Sequence, residues 1–244
     1  MGAVFYSERA APQALSQWVA CVWQVRRTGA AAQHRVLPDG CIDIVWTEGS
    51  GLELVGANST AFRAGLSAAS AAVGVRFRVG AAPALVGHQG APLRDARLPA
   101  AEAWGDSGRR LEAELWRAPG ASSRIGAMLA WLELRAGGAA SPDPLVRDVA
   151  GRLALEPQTG AAELARKLWV SERQLRRRVV AQVGYGPKLL ARVLRLQRAL
   201  ELARGANELS LADVSFAAGY ADQPHFTNEC VALAGVAPSR LLAA

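Results

Sequence analysis

The chain is poor in the residues that build disulfide frameworks and metal centres. Its 244 residues include three cysteines and three histidines. The cysteines, Cys21, Cys41 and Cys230, are odd in number, widely spaced and free of any CxxC pair, which fits a reducing compartment better than a disulfide framework. The histidines have no metal-binding spacing. We therefore expect no metal site and no cofactor.

Long apolar runs are also missing, and the start of the sequence is not typical of a leader segment. No run reaches the roughly 18 apolar residues needed to span a bilayer. The first 13 residues lack the basic region and the apolar stretch that are typical of a secretory signal. We expect a cytoplasmic protein that does not bind membranes.

Catalytic motifs are absent as well. The sequence contains no G-x-S-x-G, H-E-x-x-H, Walker or dinucleotide motif. Cys41, near Asp39 and His34, comes closest to a nucleophile with a base, but a strand residue beside a turn explains it far better. We predict no catalytic residue and no enzyme. A DNA-targeted enzyme, or a redox or alkylation sensor that uses Cys21 or Cys41, remains an alternative.

Positive charge is concentrated in one segment. The net charge is +7, and 28 side chains are basic. Residues 166–204 hold eleven basic and two acidic side chains, a net +9, whereas residues 205–244 hold one basic and four acidic, a net −3. A basic segment of this kind indicates contact with the phosphates of DNA.

The pattern of apolar residues predicts two domains of different class. Residues 41–46 and 73–80 are β-prone, and two amphipathic helices follow at 107–118 and 122–135. We predict an α+β N-terminal domain over 1–136, β-rich and barrel-like with two following helices. A Gly- and Pro-containing linker over 137–143 and an all-α domain over 144–244 complete the chain. The apolar stripes of the two helices predict a homodimer, unless they cover their own sheet.

The all-α domain contains two helix-turn-helix patterns, of which the first spans residues 159–184. Ser171 and Gln174 form a capping box at the start of its second helix. Leu175 and its repeats four residues apart should face the core. Three arginines, Arg173, Arg176 and Arg177, then face outward, where a guanidinium can bond guanine in the major groove. From pattern alone, a solvated basic face of a bundle helix is an equal alternative.

The second pattern spans residues 210–235. Gln223, His225 and Asn228 should be exposed near the start of its second helix. Between the two patterns, a helix over 187–204 should be roughly 27 Å long. Such a rod can hold two recognition helices about one DNA turn, roughly 34 Å, apart.

The ordered landmarks of residues 145–242 resemble the AraC/XylS family of bacterial transcription regulators. These landmarks are Leu164, Ala165, Ser171, Leu175, Gly184, Pro187, Arg195, Ala199, Gly219, Tyr220, Asp222, Gln223, His225, Phe226, Gly235 and Pro238. The resemblance implies sequence-specific binding to double-stranded DNA. The residues that we predict to contact DNA are Ser171, Arg173, Arg176, Arg177, Lys188, Arg192, Gln223, His225 and Asn228.

The second unit departs from the family pattern. The family usually has an arginine where Asn228 stands and basic residues where Val231 and Ala232 stand. We therefore predict that the second unit contributes less to DNA binding than the first. The alternative is that it contacts a protein partner such as RNA polymerase.

The first 136 residues are similar to an N-terminal domain of some of these regulators, through the segments 37–46 and 73–82. The resemblance implies a sensory or dimerising domain, and we predict control by a small-molecule effector. The predicted ligand-binding residues are Trp23, Asp39, Asp43, Trp46, Arg76 and Arg78. An internal salt bridge between Asp43 and the arginines is the structural alternative.

Overall fold

The computed structural model describes residues 4–29, 32–66, 70–205 and 209–242. Its β-strands all lie in the first hundred residues, as the predicted fold class requires. They are β1 (Val4–Ala10), β2 (Val19–Arg27), β3 (Ala32–Val36), β4 (Asp43–Thr47), β5 (Gly51–Val55), β6 (Phe62–Leu66), β7 (Ala71–Phe77) and β8 (Arg97–Pro99).

Six of these strands form one antiparallel sheet in the order β1-β2-β7-β4-β5-β8. Side chains alternate between its two faces. One face is apolar and fully buried: Val22, Ile44, Leu54 and Val75 lie on it. The other face carries the mixed polar and apolar residues that the next subsection describes.

The strands β3 and β6 pair only with each other, as a separate two-stranded ladder. This ladder lies over the mixed face of the six-stranded sheet, because residues of both line the same cavity. The two sheets therefore enclose a space between them, as in a barrel that is closed on one side only.

Two long helices, α3 (Ala100–Arg117) and α4 (Ala121–Ala136), cover the apolar face of the sheet. Two short helices, α1 (Ala82–Val86) and α2 (Gly90–Leu93), precede them. Leu115 of α3 and Met128 of α4 are fully buried. The stripes that suggested a homodimer thus pack on the molecule's own sheet and give no support to self-association.

Seven helices make up the described C-terminal part, and the longest of them matches the helix predicted at 187–204 to within one residue at its end. They are α5 (Pro144–Leu155), α6 (Ala161–Lys167), α7 (Glu172–Val183), α8 (Pro187–Gly205), α9 (Leu211–Ala217), α10 (Gln223–Ala234) and α11 (Pro238–Leu242). Asp143 caps α5 by accepting the backbone N–H of Leu145 at 2.9 Å. No helix within the described ranges is long and apolar enough to cross a membrane.

One continuous apolar core joins the β-rich part to the helical part. A Cβ on Gly90 of α2 would lie 2.6 Å from the backbone nitrogen of Gly184, at the end of α7. A Cβ on Gly80 would meet Val146 of α5. The absence of side chains at these two glycines lets the helical part pack directly on the β-rich part.

Candidate nucleic-acid interface and ligand cavity

The first helix-turn-helix unit consists of α6 and α7. Leu164 on α6 and Leu175 on α7 are both buried, as their spacing predicts. Ser171 caps α7: its hydroxyl accepts the backbone N–H of Gln174 at 3.2 Å, and the Gln174 side chain accepts the backbone N–H of Ser171 at 3.0 Å. Ser171 therefore fixes where the recognition helix begins.

The outward face of α7 is basic. Arg173, Arg176 and Arg177 are exposed, and the described residues supply no ion pair for any of them. Arg178, the next residue, is different: its Nε donates to the Asp143 carboxylate at 2.8 Å. The helix thus directs three arginines to solvent and uses the fourth to attach itself to the start of α5.

The turn between α6 and α7 has an unusual residue. Trp169 has a φ of 54° and is 94% exposed. At the corresponding turn of the second unit, between α9 and α10, stands Gly219 with a φ of 84°. This backbone region favours glycine, so the tryptophan is held there against its own conformational preference.

The second unit consists of α9 and α10. Asp222 caps α10 by accepting the backbone N–H of His225 at 2.7 Å. The Nδ1 atom of His225 accepts the backbone N–H of Ala221 at 3.3 Å, and its ring packs edge-on against Tyr220 at 5.3 Å. Neutral His225 therefore carries its proton on Nε2 and can donate a hydrogen bond with that atom.

The acidic residues of the second unit have structural roles. Asp213 forms a capping box with Ser210 at the start of α9, and Asp222 caps α10. Glu229 of α10 accepts the guanidinium N–H of Arg192 on α8 at 2.8 Å. Two of the unit's carboxylates therefore cap helices and a third forms this ion pair. Gln223 and Asn228 remain exposed on α10.

The long helix α8 contributes less to the interface than its charge suggested. Lys188, at its start, is exposed, but Arg192 is engaged by Glu229. Arg195 donates to the Pro157 carbonyl at 2.9 Å and lies over the Tyr220 ring. Arg192 and Arg195 thus attach the central helix to the second unit and to the loop after α5.

A cavity of about 580 Å3 lies between the mixed face of the large sheet and the β3–β6 ladder. A volume of this size matches that of small-molecule sites, 300–1,000 Å3. Its apolar lining includes Val25, Val45, Val55 and Phe62.

The polar end of the cavity is a cluster of charges around Arg76. This guanidinium lies 3.3 Å from the Asp43 carboxylate, 3.4 Å from that of Asp39 and 3.5 Å from that of Glu8. Burial raises the pKa of Asp43 to about 6, although Arg76 opposes this. Burial disfavours the charge of Arg76, but Asp43 and Asp39 outweigh it and raise the pKa of the guanidinium. Arg76 is therefore a permanent cation, while Asp43 titrates near neutral pH.

The apolar part of the cavity has an aromatic floor. A Cβ on Gly74 would collide with the indole ring of Trp23. The indole therefore lies flat on the strand next to it, with the ring of Tyr6 6.3 Å away and tilted by 31°. The Tyr6 hydroxyl donates to Glu8, which joins the aromatic floor to the charged cluster.

The predicted ligand residues divide into two groups. Trp23, Asp39, Asp43 and Arg76 line the cavity. Trp46 does not: it is fully buried on the opposite face of the sheet, under the guanidinium of Arg124 at 4.0 Å.

Arg78 lies outside the cavity too. It follows the end of β7, is exposed, and donates to the Ser16 carbonyl at 2.7 Å. Strand alternation explains the position of Trp46, which stands three residues from Asp43 on β4 and so faces the opposite way. Arg78 lies beyond the end of β7 at Phe77, so alternation no longer fixes its direction. The sequence prediction also missed Tyr6, Glu8 and the whole β3–β6 ladder.

The two N-terminal cysteines lie beside this cluster. Burial raises the pKa of Cys21 to about 11, and burial together with Asp39 raises that of Cys41 well above its usual value. Both thiols are therefore protonated at neutral pH, which disfavours the reactive thiolate that a redox or alkylation sensor needs. Within the described ranges, no three His, Cys, Asp or Glu side chains are grouped so as to hold a metal ion.

One segment contacts both the cavity and the DNA-binding part. Leu37, Asp39 and Cys41 line the cavity. Between them, the carbonyl of Pro38 accepts the side-chain N–H of Gln197 on α8 at 2.6 Å, and Gly40 approaches Leu190 of the same helix. We call residues 37–41 the connecting loop.

The β3–β6 ladder makes a second connection. His34 and Val36 line the cavity, while the guanidinium of Arg35 donates to the carbonyl of Ala234 at the end of α10. Just before β6, the backbone N–H of Ala61 donates to the Leu233 carbonyl at 2.7 Å. The cavity wall thus contacts the second helix-turn-helix unit directly.

Two protein families match this chain. Residues 7–99 match a domain of unknown function, and residues 164–244 match a helix-turn-helix domain. A comparison with curated proteins finds no match.

Solved structures with a similar course of the chain include one of AraT and two of ToxT. The C-terminal domain of AraT, a response regulator from Geobacillus stearothermophilus, is 23% identical with a TM-score of 0.39, over 41% of this chain and 85% of that chain. An apo variant of ToxT from Vibrio cholerae is 10% identical with a TM-score of 0.49, over 99% and 97%. Wild-type ToxT bound to an unsaturated fatty acid is 12% identical with a TM-score of 0.45, over 99% and 94%. Likenesses at this level say nothing about what this chain binds.

The helix-turn-helix match confirms the resemblance that the landmark residues indicated. Residues 164–244 are an AraC-type helix-turn-helix domain, and the C-terminal part has the fold of a DNA-binding transcription regulator. The match points to regulation of transcription rather than to an enzyme.

Proposed function

We propose that this protein is a sequence-specific DNA-binding transcription regulator whose affinity for DNA is controlled by a small molecule in the cavity. In this proposal, residues 1–136 are the sensor, 137–143 the linker and 144–244 the DNA reader. Binding to RNA polymerase through the second unit, and formation of a homodimer, are additional hypotheses that the contacts above neither use nor require.

The exposed arginines of α7 support the DNA-reading part. Arg173, Arg176 and Arg177 extend from a capped helix whose opposite face is buried, which is the arrangement of a recognition helix in the major groove. Nothing in the described part of the β-rich domain pairs with these three side chains. The sensor packs against the end of α7, at Gly184, and leaves the start of the helix accessible.

The connecting loop is the observation that carries the effector part. Its alternate residues face the cavity and α8, so a ligand that displaces Asp39 or Cys41 must also shift Pro38 or Gly40 against the helix that joins the two units. A ligand controls DNA affinity only if it binds two arrangements of the protein with different affinity. The shared loop and the Arg35–Ala234 bond are structural elements that can supply that difference.

Selection of bound duplexes from a random pool tests the DNA-reading part. We expect enrichment of a site with two adjacent sequence elements, and loss of one element with Arg177→Ala. Asp106→Asn, an exposed change far from α7 in α3, is the control and should leave the enriched site unchanged. Recovery of the random pool without enrichment would contradict sequence-specific binding.

A further inference from the structure

We propose that the cavity binds an amphipathic amine, with its ammonium group against the carboxylates around Arg76 and a flat apolar body on the indole of Trp23. This inference rests on the proposed function, in which the cavity holds the effector, and it names the chemical class of that effector. It is carried by the composition of the cavity's two ends.

The charged end has a surplus of negative charge. Three carboxylates, those of Glu8, Asp39 and Asp43, surround the single guanidinium of Arg76 within 3.5 Å. One cation cannot neutralise three anions. An ammonium group brings a second positive charge and three N–H donors to carboxylates that have acceptor positions to spare.

The titration of Asp43 is consistent with this surplus. Burial raises the pKa of its carboxyl to about 6 even with Arg76 beside it. Ionisation of Asp43 therefore costs more than that of an exposed carboxyl, and a bound cation would reduce this cost. An anionic ligand at the same place would increase it.

Three further arginines, Arg35, Arg63 and Arg97, line the cavity away from this cluster. Arg97 is paired with Glu53 and lies 5.7 Å from the Phe62 ring centre. Arg35 donates to the Ala234 carbonyl, and Arg63, its cross-strand neighbour, is exposed. Two of the three are thus held by groups of the protein, whereas the carboxylates around Arg76 outnumber its single charge.

The apolar end is suited to a flat hydrocarbon or aromatic group. Gly74 leaves room for the Trp23 indole directly over it, and this indole lines the cavity. Val45 and Phe62 line the same space. An ammonium group near an indole face gains a further attraction from the ring electrons. An amine attached to a ring by a short chain fits both ends at once.

Calorimetric titration of the full chain with three probes of nearly equal size tests the proposal. The probes are 2-phenylethylamine, which is cationic, 2-phenylethanol, which is neutral, and 3-phenylpropanoate, which is anionic. We expect the amine to bind about tenfold or more tightly than the alcohol, a difference of about 1.4 kcal/mol, and the carboxylate to bind most weakly.

Variants assign the preference to named residues. Asp43→Asn should make the amine and the alcohol bind alike. Asp43 is buried, so its variant can lose the fold. The second variant is therefore Glu8→Gln, at the exposed edge of the cluster, and it should reduce the affinity for the amine alone by about threefold. Gly74→Ala should weaken all three probes by displacing the indole. Asp106→Asn removes an exposed carboxylate elsewhere and should change the affinity for none of the three probes.

The outcomes separate this inference from the proposed function. Tightest binding by the carboxylate or the alcohol overturns the amine proposal and leaves the cavity as an effector site. No binding of any probe to the folded protein overturns both the amine proposal and the effector role. Amine binding that Asp43→Asn and Glu8→Gln leave unchanged also overturns it, because the ammonium group is then not at the cluster.

Discussion

At the scale of single residues, Trp169 has a backbone conformation that favours glycine over a residue with a side chain. Its φ of 54° favours glycine, its ring packs on nothing, and the equivalent turn of the second unit has Gly219. We predict that Trp169→Gly raises the free energy of unfolding by about 0.5–1 kcal/mol, because it relieves left-handed strain at a small cost in chain entropy. Urea unfolding measures this.

The matched control for this prediction is Trp169→Ala. It removes the same ring but keeps a Cβ at positive φ, so its stability should stay close to that of the native chain. Equal stabilisation by alanine and glycine would show that the exposed ring, and not the backbone conformation, is responsible.

Asp43 makes the affinity for an amine depend on pH. Its carboxyl pKa is raised to about 6 in the free protein, so below this pH it is protonated and must release a proton when a cation binds. Affinity for 2-phenylethylamine should therefore fall as pH falls through 6, by up to about tenfold per unit. The charged or titratable groups that face Asp43 are Arg76, Asp39, Glu8, Cys21, Cys41 and Tyr6.

Calorimetry at pH 5 and at pH 8 measures this effect. The affinity for 2-phenylethanol, which carries no charge, should be nearly the same at both. An amine affinity that does not change between the two pH values would exclude Asp43 as the group that receives the ammonium.

The two recognition helices should contribute unequally to DNA affinity. Arg177 of α7 is exposed and cationic, whereas Asn228 of α10 is exposed and neutral. We predict that Arg177→Ala costs about 1–3 kcal/mol of binding free energy and relaxes specificity at one or two base pairs. Asn228→Ala should cost less. Titration against the selected site and its single-base variants, at one salt concentration, compares them, and equal losses in folded variants would refute the inequality.

Individual positions show where the sequence was sufficient and where it was not. The capping box of Ser171 and the outward arginines of α7 follow from spacing alone and were predicted. Trp46 was assigned to the cavity with Asp43 although a separation of three on a strand places them on opposite faces, so strict use of alternation would have excluded it. Tyr6 and Glu8 carried no signal, because their role depends on the pairing of β1 with β2.

At the scale of elements, the contact between α2 and α7 depends on the absence of a side chain at Gly90. A Cβ there would lie 2.6–2.9 Å from backbone atoms of Gln182 and Gly184, which cannot yield as a side chain can. We predict that Gly90→Ala lowers the free energy of unfolding by about 1–3 kcal/mol. Thermal or urea unfolding of the full chain checks the direction.

Gly126→Ala on α4 is the control for this change. A Cβ there meets nothing within 4 Å, and alanine is the better helix former. This variant should be more stable than the native chain by about 0.5–1 kcal/mol. If Gly90→Ala were neutral, the close packing of the sensor on α7 would not exist in solution.

The helices could be predicted from the sequence more completely than the strands. The boundaries of α7 and α10 follow from local signals: caps at their starts and glycines with positive φ at their ends. The strands β3 and β6 have no such signal, because alanine, glycine, histidine and arginine dominate them. Their ladder is stabilised by the face of the large sheet that it covers, which the local sequence does not indicate. The cavity depends on this ladder, so its outline could not be predicted, whereas the Asp43–Arg76 pair could.

At the scale of the whole molecule, the structure distributes the basic side chains of residues 166–204 between two tasks. Five of the eleven bond to groups within the protein: Lys167, Arg178, Arg192, Arg195 and Arg198. Six are exposed: Arg166, Arg173, Arg176, Arg177, Lys188 and Arg204. Fewer basic side chains can therefore meet DNA than the net charge of the segment suggests, and three of the six lie on α7.

The dependence of DNA affinity on salt tests the central claim most directly. Binding of the selected duplex is titrated at several salt concentrations, and we predict a log–log slope of about −4 or steeper, since most of the six exposed cations should displace counterions. Replacing Arg173, Arg176 and Arg177 by alanine should make the slope less steep by about 2–3. Removal of one positive charge away from α7, by Arg109→Ala on α3, should leave the slope as it is. A slope near zero for the native protein on its specific duplex would contradict the account.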